Sequence, residues 1–262
     1  MRLASDRSLP GTTSYDVPPY DELAEVYDEL LRPGFFPHLS RVLDRLIRAY
    51  GLDLGAVADV GCGTGRLLDW FRDRGARELY GTDASAAMLR VARSRTGFRH
   101  PVLLRQRFAE LDLPRPVSLI TCTFDALNYE LTPAALLAAL RAIRANLAPG
   151  GHVVFDLVVA GPGGPVPPCV EHARRPGVRL VRISRWHPRT RVMRADVWVI
   201  HDDGRVGHEL HVQRAYPVPA VCRLLRRAGL SPAGVHDFDT LRRPSASTRR
   251  AVFVARRGPV SC

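Results

Sequence analysis

Three alternate glycines and two acids give the chain its first chemical signal. Residues 57–68 read VADVGCGTGRLL: an apolar run holding Asp59, glycines at 61, 63 and 65, then apolar positions at helical spacing. A buried strand that stops in such a turn brings bare backbone N–H groups and a helix N-terminus up to a ligand, with no Cβ in the way. Asp83 follows at the end of a second apolar run, 79–82. A carboxylate there can accept both hydroxyls of a ribose whose attached group rests on the glycine turn, with Ala84 and Met88 flanking the base. The alternative is that Asp83 only caps a helix predicted over 85–94.

The spacing narrows the choice of nucleotide. A GxGxxG dinucleotide turn would put Arg66 where close helix packing needs glycine. A P-loop needs GxxxxGK, and all 38 basic residues of the 262 are arginine. What remains, an acid just before GxGxG, resembles motif I of the class I S-adenosylmethionine (SAM) dependent methyltransferases, with Asp59, Gly61, Gly63 and Gly65 in register. The resemblance covers about residues 20–257 and includes the Pro-Gly-Gly turn of LAPGGHVVFDL (147–157). It implies an α/β fold, a doubly wound Rossmann-like seven-stranded sheet whose last strands (235–238 and 252–255) are antiparallel. SAM is then the cofactor and S-adenosyl-L-homocysteine the product, held by Asp59, Gly61, Cys62, Gly63, Gly65, Asp83, Ala84 and Met88. Families of this fold carry an acid after the third strand for the adenine amino group. Gln106-Arg107-Phe108 stands there instead, so Phe108 is taken to pack on the ring and to offer its backbone amide.

A fourth strand, 117–123, ends at Thr123 in FDALNY (124–129), beside the glycine turn at the switch point of a doubly wound sheet. A group that receives a methyl must lie in line with the C–S bond, so these residues are placed to hold the acceptor. Asp125 can take or balance a proton, Asn128 can orient a polar group, and Phe124 and Tyr129 can wall a sulfonium. Alternatively Asp125 caps a loop and the aromatics only pack. Asp156, where the fifth strand emerges on the same side, is a further polar candidate. Apolar positions 23, 26, 27, 30 and 31 predict a helix over 20–31, and 39–50 reads as a second. In the resembled family such helices close the cofactor pocket, which makes Tyr20 and Tyr27 lid candidates; aromatic packing is the alternative.

Positioning these groups requires a core of 20–159 and 217–257, preceded by a flexible leader, 1–19, and followed by a tail, 258–262. Between the fifth strand and a helix over 219–229, residues 160–168 are rich in Gly and Pro, and 179–185, 191–201 and 206–216 read as three successive strands. They imply an antiparallel β meander inserted as a cap over 160–216. In small-molecule methyltransferases of the resembled family, including sugar N-methyltransferases of antibiotic pathways, an insertion here covers the substrate. Arg182 and Trp186 are accordingly taken as substrate contacts and His211 as a general base, chosen from His187, His208 and His211. His208 and His211, three apart, fall on opposite faces of a regular strand.

Residues 1–173 carry 19 Arg against 20 acids and 174–262 carry 19 against 6, so the net charge of +12 lies wholly in the last third. An anionic acceptor or a solvated basic face each accounts for it. The five cysteines form no CxxC pair, which points to neither disulfides nor a metal and to a cytoplasmic setting. No apolar run approaches the roughly 20 residues that span a bilayer. A small-molecule substrate, no membrane, and a monomer or homodimer complete the expectation. RNA methylation is a second reading; against it, no RNA-binding module and no NPPY-like or DPPY-like tetrapeptide appears. A third is a methyltransferase-fold cyclase or other non-methylating enzyme that uses SAM structurally.

Overall fold

The computed structural model describes residues 14–30, 34–96, 101–160 and 169–258. Sequence expectations for 1–13, 31, 161–168 and 259–262 lie outside the described residues. The chain enters as β1 (Ser14–Val17), α1 (Tyr27–Leu30) and α2 (Phe35–Tyr50), then alternates through β2 (Ala56–Val60), α3 (Arg66–Arg72), β3 (Glu78–Asp83), α4 (Ala86–Thr96) and β4 (Val102–Arg105). β5 (Val117–Cys122), α5 (Pro133–Asn146) and β6 (Leu147–Val158) follow. After β7 (Cys169–Arg175), β8 (Val178–His187), β9 (Val192–His201) and β10 (Val206–Arg214), the chain closes with α6 (Val218–Arg227), β11 (Leu230–Asp237) and β12 (Arg250–Arg257).

The larger sheet has the order β11-β12-β6-β5-β2-β3-β4. β12 is antiparallel to both of its neighbours and the other six strands share one direction. Strands buried on both faces need apolar residues throughout, which is why AVADV and VSLITC show no alternation. Val60, Ile120, Phe155 and Phe253 pack on the face covered by α5 and α6. Val57, Leu119, Val154 and Val252 pack on the other, under α2 and α3. The order reverses at the β2–β5 pair, so the carboxyl ends of these two strands open side by side as the expected switch point.

The second sheet, β1-β10-β9-β8-β7, is an antiparallel meander flanked by β1, which runs parallel to β10. The sequence anticipated three of these strands. Residues 14–17, read as the end of a leader, are instead an edge strand, joined to β10 by backbone pairing and by Asp16 against His208 Nδ1 at 2.6 Å.

Of the helix expected over 20–31, the described residues hold only Tyr27–Leu30. Tyr20 takes φ +71°, and the N–H groups of Tyr20, Glu22 and Leu23 are spent on the carboxylate of Glu209 rather than on a helical ladder. The resulting entry segment is a layer between the two sheets. Leu23, Val26 and Leu30 pack on Val178, Leu180, Val197 and Val199 of the second sheet. Ala24, with Tyr20 and Tyr27, packs on Ala87 and Met88 of α4.

Candidate active site

The glycine turn is built as its spacing suggested. Gly61, Gly63 and Gly65 have φ of +74°, +53° and +80°, the left-handed region in which only glycine is unstrained. A Cβ on Gly61 would lie 3.2 Å from Ala126 Cβ and 3.4 Å from the Phe108 ring, whereas one on Gly63 would meet only Met88 Sδ at 3.9 Å. The turn thus leaves open backbone at Gly63, with Phe108 close by at Gly61. Asp83 accepts from Gly63 N–H and from Ser85 N–H, both at 2.9 Å, one on each oxygen. Each oxygen retains lone-pair capacity for a ribose hydroxyl. The cap of α4 is Ser85, whose Oγ accepts from Met88 N–H at 3.1 Å, so Asp83 is left to face the turn. These residues fit SAM: an open glycine cradle, a carboxylate beside it, and an aromatic ring at its edge. Cys62 contributes backbone only, because its sulfur packs with Leu68 and Leu89. Ala84 is exposed at the rim, and Thr123 is buried just beyond β5. Gln106 braces its own loop through Asp112.

Asp59 is buried at the end of β2 and accepts from Thr121 Oγ1 at 2.7 Å. Burial pushes its carboxyl up to about 7, against the opposing Thr121 bond. The folded-state value lies above the ordinary one, so the stability this group lends is complete below the usual carboxylate range and is lost as pH rises through about 7. A cationic ligand reverses the preference by favouring the carboxylate. SAM affinity is therefore expected to rise from about pH 6 to about pH 8, with net proton release on binding near pH 7. Calorimetry in buffers of different ionisation enthalpy reads that release, and none in the native protein would remove this role from Asp59.

On the acceptor side, Phe124 and Asp125 have φ +60° and +51°, a conformation that costs a non-glycine residue about 1–3 kcal/mol. Asp156 of β6, wholly buried, holds it by accepting from Phe124 N–H at 2.9 Å and Asp125 N–H at 3.1 Å. Arg250 of β12 donates to Asp156 and, at 2.6 Å, to Asp125, and its guanidinium lies 4.8 Å over the Phe35 ring. Burial opposes the Arg250 charge, and the two carboxylates more than offset it. Gln213 of β10 donates to the other Asp125 oxygen at 2.8 Å. Asp125 is thereby presented as a carboxylate in a pocket walled by Tyr20, Tyr27, Phe35, Phe124, Tyr129 and His211, with Arg182 of β8 in the same lining. From this pocket a chain of hydrogen bonds leads inward: Tyr20 Oη to Tyr129 Oη at 2.7 Å, then Tyr129 Oη to His211 Nδ1 at 2.7 Å. Burial raises the pKa of both phenols, which keeps them protonated.

Several residues singled out in the sequence have other work. Asn128 is fully buried, donating to the carbonyls of Val158 and Arg214 and accepting from Val158 N–H, so it braces β6 against β10 and is not catalytic. Asp156 offers no face to a substrate, since it is wholly buried with two backbone N–H groups and Arg250 donating to it. Trp186 lies on the same face of β8 as Arg182 but four residues along, roughly 13 Å at strand rise, outside the pocket lining. His208 faces the other side of β10, between Asp16 and Asp196, and His187 is exposed beside Thr190, so His211 alone of the three meets the pocket. Arg250, Gln213 and Phe35 were missed. No local pattern marks them, because Arg250 lies 125 positions from Asp125. Among the described residues no group of His, Cys, Asp or Glu could hold a metal ion, and no helix is long and apolar enough to cross a membrane.

A sheet with this strand order, the glycine turn at its switch point and an acid on the next strand aimed at that turn define a class, the Rossmann-like methyltransferase fold, and this chain carries that fold. Residues 57–151 match the family model described as a methyltransferase domain. The chain is 36% identical over 117 residues (43% of its length) to a ubiquinone biosynthesis O-methyltransferase of Alkalilimnicola ehrlichii, and the match spans less than half, 45%, of that relative. Among solved structures it resembles the CcbJ methyltransferase of Streptomyces caelestis, at 26% identity over 92% of this chain and 100% of that one, with a TM-score of 0.73. It also resembles a SAM-bound amino pentose methyltransferase of calicheamicin biosynthesis from Micromonospora echinaspora, at 28% identity over 83% and 89% of the two chains, with a TM-score of 0.65.

Proposed function

We propose that this protein methylates a small molecule and that the acceptor atom is the nitrogen of an amine, borne on a sugar or a similarly polar natural-product intermediate. The observation that carries the reading is one aromatic pocket presenting both the Asp125 carboxylate and the Tyr20–Tyr129–His211 chain. When bound, SAM supplies a methyl group already activated on a sulfonium. The protein then needs to align the acceptor, exclude water and accept one proton. Asp125 pairs with an ammonium, Tyr20 and Tyr27 close over it from the entry segment, and the phenol chain takes its proton. A hydroxyl acceptor carries no positive charge for the Asp125 carboxylate to pair with. The amino pentose acceptor named for the Micromonospora neighbour supports the same class. The second sheet, β1 with β7 to β10, acts as the cap over the larger sheet.

Methyl-labelled SAM tests this in parallel arms containing nucleotide-linked amino sugars, their hydroxyl analogues and bulk RNA. Label is expected in the amines. Label in hydroxyl analogues alone overturns the choice of nitrogen, and label in RNA alone overturns the small-molecule reading.

The arginines of the cap divide by strand alternation. Arg182 faces the pocket beside Glu171, while Arg185 points outward to Asp196. An anionic group on the acceptor would displace Glu171 from Arg182. Arg182→Glu is therefore expected to raise acceptor KM at least about tenfold with SAM affinity unchanged, and Arg185→Glu to alter neither. Equal effects from the two variants would show a diffuse basic field instead of a specific contact.

A further inference from the structure

The hydrogen-bond chain that leaves the pocket ends on a group that methyl transfer itself does not require. Glu209, on β10, is wholly buried between His211 and the entry segment. Its Oε1 accepts from Glu22 N–H at 2.8 Å and Leu23 N–H at 3.0 Å, and its Oε2 accepts from Tyr20 N–H at 2.7 Å. The fourth contact is His211 Nε2, 2.9 Å from Oε2.

Backbone N–H groups can only donate, and three of them are accepted by the Glu209 carboxylate, which can only accept. The fourth contact then requires a hydrogen on His211 Nε2, which leaves the lone pair on Nδ1. Tyr129 must donate its O–H to that lone pair, and Tyr20 must donate to Tyr129. Every hydrogen in the chain therefore points away from the pocket, and the Tyr20 oxygen keeps lone pairs free to accept.

We propose that Glu209 is the positioning residue of a proton relay, setting His211 as the Nε2–H tautomer so that Tyr20, Tyr129 and His211 Nδ1 pass the acceptor's proton inward. This rests on the amine-methylation reading above. One proton leaves the acceptor nitrogen for the Tyr20 oxygen as the Tyr20 proton moves to Tyr129 and the Tyr129 proton to Nδ1. Both phenols end neutral, and the charge rests as an imidazolium against the Glu209 carboxylate. The high pKa that burial imposes on the phenols is consistent with passage through them without a stored phenolate. Facing the relay are Tyr27, Asp125 and Arg182 from the pocket and, through the entry segment, Glu22 with its partner His201. Because the same carboxylate fixes the backbone of residues 20–23, the base is assembled only when the entry segment is docked.

Nitrogen-15 NMR of the histidine rings in the whole, ligand-free protein tests this without an acceptor, the His211 signals being identified by their loss in His211→Asn. The Nε2–H form is expected, and a native Nδ1–H form overturns the relay whatever the variants do. In Glu209→Gln the tautomer is expected to shift, hydrogen exchange at the Tyr20, Glu22 and Leu23 amides to accelerate, and kcat with a labelled amino sugar to fall about 10–100-fold while acceptor KM and SAM affinity hold within about twofold. Glu209→Asp, which keeps a carboxylate, should recover part of the loss. Native kcat in Glu209→Gln overturns the relay. If no amine is methylated although His211 shows the Nε2–H form, the proposed reaction fails; if amines are methylated but kcat is indifferent to Glu209, the relay fails.

Discussion

Asp156→Ala is expected to cost about 3–5 kcal/mol of folding stability and to abolish methylation while leaving SAM binding measurable. The carboxylate is completely buried, and its removal strips three donors at once. The N–H groups of Phe124 and Asp125 lose their acceptor, and the left-handed backbone of these two residues loses that support. Arg250 would remain buried with Asp125 as its remaining carboxylate, and breaking a buried ion network by removing one partner is costly because the orphaned charge stays behind. The glycine turn belongs to a different strand and keeps its own brace at Asp83, so the cofactor edge should survive in the folded fraction. Urea unfolding with and without SAM measures both parts. Asp156→Asn keeps one acceptor oxygen and should lose less. An unfolding free energy within about 1 kcal/mol of native in Asp156→Ala would mean that the 124–125 loop is held by other contacts.

The second large effect belongs to Asp83. Asp83→Ala should weaken SAM binding by about 2–3 kcal/mol, roughly 30–150-fold, because two charge-assisted hydrogen bonds to the ribose are lost and the Gly63 and Ser85 N–H groups are released from the carboxylate that orders them. Unfolding without SAM should change less, since Ser85 still caps α4. Calorimetric titration decides it: unchanged affinity would reduce Asp83 to a brace of the turn. Asp59 and Asp83 are separable, because the first alters the pH dependence of binding and the second its strength.

By itself the sequence determined the glycine turn and the acid that faces it. The strand, the three-glycine turn, the following helix and the acid at the end of the next strand lie within residues 57–83, and each follows from local rules: alternate glycines need positive φ, and a run apolar on both faces needs a central strand. The sheet was legible for the same reason, as was the meander, whose turns are marked by HPRT and DDGR.

Only the tertiary structure decided the acceptor side. Its groups come from the entry segment, the start of α2, the segment after β5, and β8, β10 and β12, and which of them meet depends on strand order and register, which no short window contains. Residue type pointed to Asn128 and Asp156 as functional, but buried backbone donors and acceptors claimed both, because an unpaired polar group in the core costs more than any role at the surface gains. Periodicity predicted a helix over 20–31, yet Glu209, nearly two hundred positions away, offered three of its N–H groups a better acceptor. The same carboxylate sets the direction of the hydrogen-bond chain that ends in the pocket.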